Sequence, residues 1–343
     1  MFKIIDPLTA VNYDEMLLST PGASFFHTSA WARVLVESYR YTPIYFAEIS
    51  NDQLSTLVPL MEIRSVLTGN RGVSLPFTDY CEPLTPDNGD CTGLLESIIK
   101  FGRKARWKYV EFRTSRELNH YTPASAMYFG HVLNLAIGES ALLSGFREST
   151  RRNIKKAKKE GVDVTICNSL ESVAEFFRLN CLTRKMHGLP PQPYRFFKKT
   201  YEHIISKGHG IVALASAQGK YIAANVYFNF GSQAIYKYGA SDRNYQYLRA
   251  NNLVMWEAIR YYAERGCKSF CFGRTEPENT GLLQFKRGWG AEERTIYYYK
   301  YDISQDIYIK ESSKPYGFHK TLFSNTPLAL LRLIGSHLYR HIG

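Results

Sequence analysis

The run Phe285-Lys286-Arg287-Gly288-Trp289-Gly290 sets one lysine between an aromatic residue and a glycine-bounded turn. An ammonium held there can stabilise the oxyanion of a tetrahedral intermediate, which makes Lys286 a catalytic candidate and Trp289 a substrate-binding one. The plain alternative is a surface lysine on a short amphipathic helix. Tyr236 and Tyr238 stand two apart, so a strand would put both phenols on one face. There they either orient an acceptor, Tyr238 as catalytic and Tyr236 as binding group, or pack against a helix. Asn251 and Asn252 precede an apolar helical run, with Arg243 and Arg249 just upstream. A diphosphate can meet such a helix start, or Asn252 simply caps it. Arg274 ends a strand before a loop, placed for an anion or for pairing with Glu276 or Glu278. Asp79, in Ser-Leu-Pro-Phe-Thr-Asp-Tyr, can accept a proton from an attacking ammonium. Arg151, Arg152 and Lys155 open a run of six cations across 151–159. That run is either a solvated face or a seat for the phosphates of tRNA or of a nucleotide- or lipid-linked diphosphate precursor.

The elements that must position these groups alternate between helix and strand, which places the chain in the α/β class. In the first half a helix over FHTSAWARVLVESY is capped by Thr28 or Ser29. Strands at 44–49 and 56–63 form a hairpin across Ser50-Asn51-Asp52-Gln53. Further strands are expected at 109–113 and 131–136. The basic helix is capped by Ser149 or Thr150 and closed by Gly161. Asn168 with Glu171 caps the helix ESVAEFFRLNCLTRKMH, and YRFFKKTYEHIISK follows. Three strands then come at hairpin spacing, IVALASA, YIAANVYFNF and AIYKYGA, turned at Gln218-Gly219 and Gly231-Ser232. The middle one alternates an apolar face with a polar face that lines a cleft. The helix LVMWEAIRYYAER starts after Asn252, with Glu257, Arg260 and Glu264 as its only polar stripe. A strand KSFCFG, a short helix LLQFKR and a strand YYYKYDI close the order.

The 343 residues suffice for two domains with a buried core. A net charge of +12 favours an anionic partner. The six cysteines have no metal-ligand spacing, and no metal is implied. Neither a signal peptide nor a run of about 18 apolar residues is present, so the expected location is cytoplasmic, or peripheral at the inner face of the membrane. Leu330, Leu331, Leu333, Lys320, Arg332 and Arg340 make the last residues a basic amphipathic segment, which either lies on an anionic membrane or docks on the protein itself.

Beyond element order, RRNIKKAKKEG, LTRKMHGLPPQPYRFF, YKYGASD, NNLVMWEAI and FGRTEPENTGLLQFKRGWG resemble the FemAB-related branch of the GNAT acyltransferase superfamily. FFHTSAWARV and SLPFTDY extend the resemblance into the first half. It implies two tandem GNAT-like domains, with mixed, mostly antiparallel sheets flanked by helices, at 1–145 and 146–305, then a tail at 306–343. It also implies transfer of an acyl or aminoacyl group to an amine of a cell-envelope or polysaccharide precursor. Several such relatives use aminoacyl-tRNA and extend peptidoglycan precursor peptides, and others accompany exopolysaccharide and exosortase systems. The implied donor is aminoacyl-tRNA or acyl-CoA, with no tightly bound cofactor. FemAB-like relatives place a lysine in the context of Lys286 for contact with substrate or intermediate.

Two departures separate the donors. CoA-using relatives run a glycine-rich loop into the buried helix, whereas SDRNYQYLRANN has no glycine. They also often carry a tyrosine acid four residues before the last-helix glycine, where this chain has Gln284. Both weigh against an acyl-CoA-dependent N-acetyltransferase acting on an amino sugar. A non-catalytic anion- or membrane-binding protein is the third reading.

Overall fold

The structure, a computed structural model, describes residues 2–50, 53–86, 92–118, 122–310 and 323–343. Asn51, Asp52 and Lys320 lie outside the described residues. The chain forms two compact units: Met1–Tyr128 with Thr295–Ser313 and Leu338–Gly343, and Phe129–Arg294 with Lys314–His337.

The first unit contains β1 (Lys3–Ile5), α1 (Tyr13–Leu18), α2 (Ser29–Tyr39), β2 (Thr42–Ser50), β3 (Gln53–Ile63), β4 (Arg71–Val73), α3 (Thr92–Lys104) and β5 (Tyr109–Thr114). Thr28 caps α2, its hydroxyl accepting from the Trp31 N–H at 3.3 Å. β1 to β4 pair antiparallel in sequence order, and β5 joins β4 in parallel after the α3 crossover.

From the second half of the chain come β6 (Ala126–Asn134), α4 (Glu139–Gly145), α5 (Glu148–Lys159), β7 (Asp163–Cys167), α6 (Leu170–Met186) and α7 (Tyr194–His203). They are followed by β8 (Gly210–Ala217), β9 (Lys220–Phe230), β10 (Gln233–Ser241), α8 (Ala250–Glu264), β11 (Ser269–Thr275), α9 (Thr280–Arg287), β12 (Glu292–Asp302), β13 (Ile307–Tyr308) and α10 (Leu328–Ile342). The second unit's sheet runs β6, β11, β10, β9, β8, β7. β11 joins β10 in parallel after the α8 crossover, and the other pairs are antiparallel. The first unit ends with β12 antiparallel to β5 and β13 antiparallel to β12. Each unit's last strand is thus contributed by the other half of the chain. A cut at 145 does not describe this arrangement.

Local chemistry moved several helix starts. α5 begins after Arg147, not at Ser149 or Thr150, because the Arg147 N–H donates to the Gly288 carbonyl at 2.9 Å and fixes an extended entry there. Gly161 at φ +72° ends it as expected. Ser169 rather than Asn168 caps α6, its hydroxyl accepting from the Ser172 N–H at 3.2 Å. α8 is capped by Arg249 in the left-handed region at φ +60°, so Asn251 and Asn252 belong to its first turn.

β9 is buried on both faces instead of half-covered. α8 brings Leu253, Val254, Met255, Trp256 and Ile259 into one cluster with Ala213, Ala215, Ala217 and Ala223, whose small side chains let the helix come close. Each fully buried side chain of leucine size contributes about 1.5–3 kcal/mol. The polar stripe of α8 closes on itself: Arg260 reaches Glu257 at 2.9 Å and Glu264 at 3.3 Å.

The C-terminal helix takes the docked alternative. In the second unit, a Cβ on Gly335 would lie 2.0 Å from the Pro191 carbonyl oxygen, and Leu331 is fully buried. In the first unit, the Tyr41 hydroxyl donates to the Tyr339 carbonyl at 3.0 Å. No helix among the described residues is long and apolar enough to cross a membrane.

Candidate active site

β10 and β11 are paired only at residues 233–235 with 269–271. Beyond that point each carries an irregularity. β10 bulges between Tyr236 and Tyr238 against β9, and β11 shifts register between Cys271 and Arg274 against β6. Gly273, at φ +68°, supplies the backbone conformation that the second irregularity needs. The two strands therefore part, while β10 stays paired with β9 and β11 with β6.

A cavity of about 480 Å³ is lined by Tyr236, Gly239, Ala240 and Ser241 of β10, by Leu282 and Phe285 of α9, and by Arg249, Asn251 and Asn252 at the start of α8. Ile222, Asn225, Met255, Thr183, His187, Asp242 and Tyr245 also line it. The lining is apolar on one side and polar at the helix start, the composition expected of a ligand site.

The pieces are held firmly. Tyr236 crosses Gly239 so closely that a Cβ there would fall 1.8 Å from the phenol oxygen. Burial pushes the Tyr236 phenol well above its ordinary pKa, so at neutral pH it is a hydrogen-bond donor and not a base. Asn225 donates to the Tyr227 hydroxyl at 2.8 Å, and that hydroxyl reaches the Met255 sulfur at 3.8 Å. Asn251 Nδ2 donates to Ser241 Oγ at 3.3 Å, which ties the start of α8 to the end of β10. The Ser241 N–H donates to Thr183 Oγ1 at 2.9 Å, which adds α6 to the same corner. In the first turn of α8 the Asn252 N–H donates to the Arg249 carbonyl at 3.0 Å, and the partial positive charge of this helix start favours an anion or a developing oxyanion.

Tyr236, Arg249, Asn251 and Asn252 meet in this cavity, and the other residues singled out from sequence do not line it. Lys286 is buried, its Nζ donating to the carbonyls of Gly273 at 3.0 Å and Arg274 at 2.9 Å. It clamps the irregularity in β11 and is no surface lysine. The bulge also separates the two phenols expected on one face. Tyr238 packs among Phe176, Phe196 and Phe197 at 5.7–6.3 Å, whereas Tyr236 lies 5.6 Å from Tyr227.

Trp289 is fully buried between Phe146, Phe272 and Phe285, so it cannot touch a substrate. The glycines around it serve close packing: a Cβ on Gly288 would meet Thr150 Oγ1 at 2.6 Å, and one on Gly290 the Gly145 carbonyl at 2.8 Å. Arg274 takes the pairing alternative, 4.0 Å from Glu276. Arg243 and Gln284 are exposed. Arg152 and Lys155 are exposed and Arg151 half-buried on α5, whose Ile154 and Ala157 face the core. Asp79 is half-buried in the first unit, and its carbonyl accepts from the Tyr298 hydroxyl at 2.8 Å.

His187 also lines the cavity. Thr183, Asp242 and Tyr245 had no sequence signal beyond their neighbourhood. Asn225 had one, as a member of the polar face expected on β9 to line a cleft. His131, missed altogether, is fully buried with its Nε2 2.9 Å from Glu293, which Arg287 also grips at 2.7 and 2.8 Å. Burial first, then the nearby Lys286 ammonium, hold the His131 pKa below its ordinary value.

A parted pair of parallel strands, a cavity at the start of the crossover helix and a tandem of meander–crossover units define a GNAT-type α/β architecture. Residues 144–287 match the Acetyltransferase (GNAT) domain family. This segment is similar to GNAT acetyltransferase domains, and the relatives it resembles are of the FemAB-related kind. The chain is 31% identical over 105 residues to a lipid II:glycine glycyltransferase of Staphylococcus haemolyticus, covering 28% of this chain and 25% of that protein. It is 26% identical over 144 residues to the UDP-N-acetylmuramoylpentapeptide-lysine N(6)-alanyltransferase of Weissella viridescens, covering 41% and 42%. These matches thus span between a quarter and under half of the relatives' own lengths. The crystal structure of FemX superposes with a TM-score of 0.68 at 13% identity, over 87% of this chain and 96% of that one, a likeness of fold.

Proposed function

We propose that this chain is an acyltransferase that moves an acyl or aminoacyl group from a carrier to an amine of a cell-envelope precursor. The observation that carries the proposal is the cavity enclosed by the later half of β10, α9 and the first turn of α8. An extended carrier arm can lie along β10 where that strand has parted from β11. Its phosphate can meet the α8 N–H groups and Arg249. The acceptor amine attacks the carrier's ester or thioester carbonyl, and the N–C bond forms. The negative charge collects on the carbonyl oxygen, to which the Tyr236 hydroxyl can donate. The C–O or C–S bond then breaks, and the proton released by the amine leaves with the carrier's oxygen or sulfur. Lys286 acts as a positioning residue that keeps the slot open, and no step is assigned to Tyr238, Trp289 or Asp79.

The relatives' names favour an aminoacyl group and a lipid- or nucleotide-linked peptidoglycan precursor. The absence of glycine before α8 supports aminoacyl-tRNA over acyl-CoA, because Arg249 in the left-handed region carries a side chain where a pyrophosphate would need close backbone approach. The test is a donor screen with the full chain: charged tRNA and radiolabelled acyl-CoA, each offered with lipid-linked and nucleotide-linked precursors. Transfer that depends on charged tRNA and is abolished by ribonuclease is expected, together with a loss of about tenfold or more in Arg249→Ala. Transfer from acyl-CoA with tRNA inert would overturn the carrier assignment, and no transfer from either donor would overturn the enzyme reading.

A further inference from the structure

Away from the cavity, the first unit presents an apolar turn between β3 and β4 that its own core does not use. Val66 is 93% exposed and Leu67 68%. Single aliphatic residues at a surface are ordinary, but here two adjacent ones cap a braced turn. Ser65 Oγ accepts from the N–H groups of Leu67 at 3.2 Å and Thr68 at 3.0 Å, and the Gly69 N–H donates to the Ser65 carbonyl at 2.8 Å. Thr68 Oγ1 donates to the His341 carbonyl at 2.8 Å. Buried Arg71 donates to Thr68 Oγ1 at 2.7 Å, to the Gly69 carbonyl at 3.2 Å and to the His341 carbonyl at 2.7 Å.

Cations surround this tip. The Arg64 side chain is 73% exposed, the exposed Lys108 runs across Gly69, and the exposed Arg340 adjoins His341. Ile342, 48% exposed, adds a further aliphatic group. The neighbouring acid, Glu62, is buried and already accepts from Trp107 Nε1 at 2.9 Å and Arg64 Nε at 2.7 Å.

We propose that this turn docks the chain on an anionic phospholipid bilayer, with Val66 and Leu67 entering the acyl boundary and Arg64, Lys108 and Arg340 at the level of the phosphates. The charge argument selects the bilayer: aliphatic residues ringed by cations match a surface that is apolar inside and negative at its rim. The bracing matters because a turn already held in shape loses little conformational freedom on docking. This contact takes in the last turn of the C-terminal helix through Arg340 and Ile342 and does not depend on the carrier or the acceptor.

The test is co-sedimentation of the full chain with vesicles of phosphatidylcholine alone and of phosphatidylcholine with phosphatidylglycerol. Binding to the anionic vesicles is expected, lost as NaCl rises from about 0.1 to about 1 M. The double substitution Val66→Ser with Leu67→Ser should weaken it by about tenfold or more, with an unchanged circular dichroism spectrum. Leu67→Trp should be quenched by brominated lipids, while the native Trp31, Trp107, Trp256 and Trp289, all 0–3% exposed, are not. Equal binding of parent and double variant, or equal binding to neutral vesicles, would overturn the proposal. So would a lipid-free dimer that the double substitution turns into a monomer, which would make a second copy the occupant.

Discussion

Replacing Lys286 by methionine separates two roles that a lysine beside a reaction site can have. The ammonium is buried and donates to two backbone carbonyls, of Gly273 and Arg274. Hydrogen bonds from a charged donor are each worth about 1.5–3 kcal/mol, so losing both removes about 3–6 kcal/mol. Removing a buried charge gives part of this back. The expected net loss is about 2–4 kcal/mol, or about 4–16 °C in the melting temperature of a unit of this size. Trp256 and Trp289 lie in the second unit and Trp31 and Trp107 in the first, so fluorescence-detected urea unfolding of single-tryptophan variants assigns the loss to one unit. Lys286→Gln, which keeps one donor group, should fall between the two. The slot should also loosen, raising KM for the donor. A second unit as stable as the parent within about 0.5 kcal/mol, with transfer nevertheless lost, would refute the clamp and return Lys286 to direct contact with the reacting group.

Two further outcomes follow from buried groups. His27 accepts at Nδ1 from the Ser24 N–H and contacts the Glu82 carbonyl through Nε2 at 2.8 Å, and burial lowers its pKa to about 4 from an ordinary 6.5. The fold therefore favours the neutral ring; stability is fully present above pH 6.5 and is lost as pH falls toward 4, by about 3 kcal/mol in total. Urea midpoints of the first unit at neutral and acid pH check this, and a His27→Gln variant with the same pH dependence would contradict it. Gly239→Ala should drive the Tyr236 ring into the cavity at a cost of about 1–3 kcal/mol and weaken donor binding, as measured by calorimetry; unchanged affinity would mean that the donor does not use this wall.

Most of the second unit was legible because its signals are local. Gln218-Gly219 and Gly231-Ser232 fix the meander, and the apolar run of α8 bounded by Gly266 can only be a buried helix. What sequence patterning missed depends on irregularity. The two-residue alternation placed Tyr236 and Tyr238 together, but one extra residue in β10 sends them to different neighbours. FKRGWG reads as a turn presenting a lysine, yet its glycines exist so that Thr150 and the Gly145 carbonyl can approach, and its lysine points inward. The start of α8 was recognised as a place for an anion. Its cap was misplaced because arginine in the left-handed region has no propensity that announces it. His131, Glu293 and Arg287 are far apart in sequence or scattered in type, and only strand pairing joins them.

Exchange of the final strands has a consequence for how this chain can be made and divided. β12 completes the first sheet by pairing its residues 297–302 with 109–114, and β6 completes the second by pairing with β11. A ribosome that has delivered the first 145 residues has therefore delivered no finished sheet: β5 waits for a partner still more than 150 residues from synthesis. Neither half, expressed alone, holds the strand that seals its own edge, and an open edge of that kind invites pairing with another chain. Splitting the gene at the apparent boundary should give two insoluble fragments that regain solubility only when produced together.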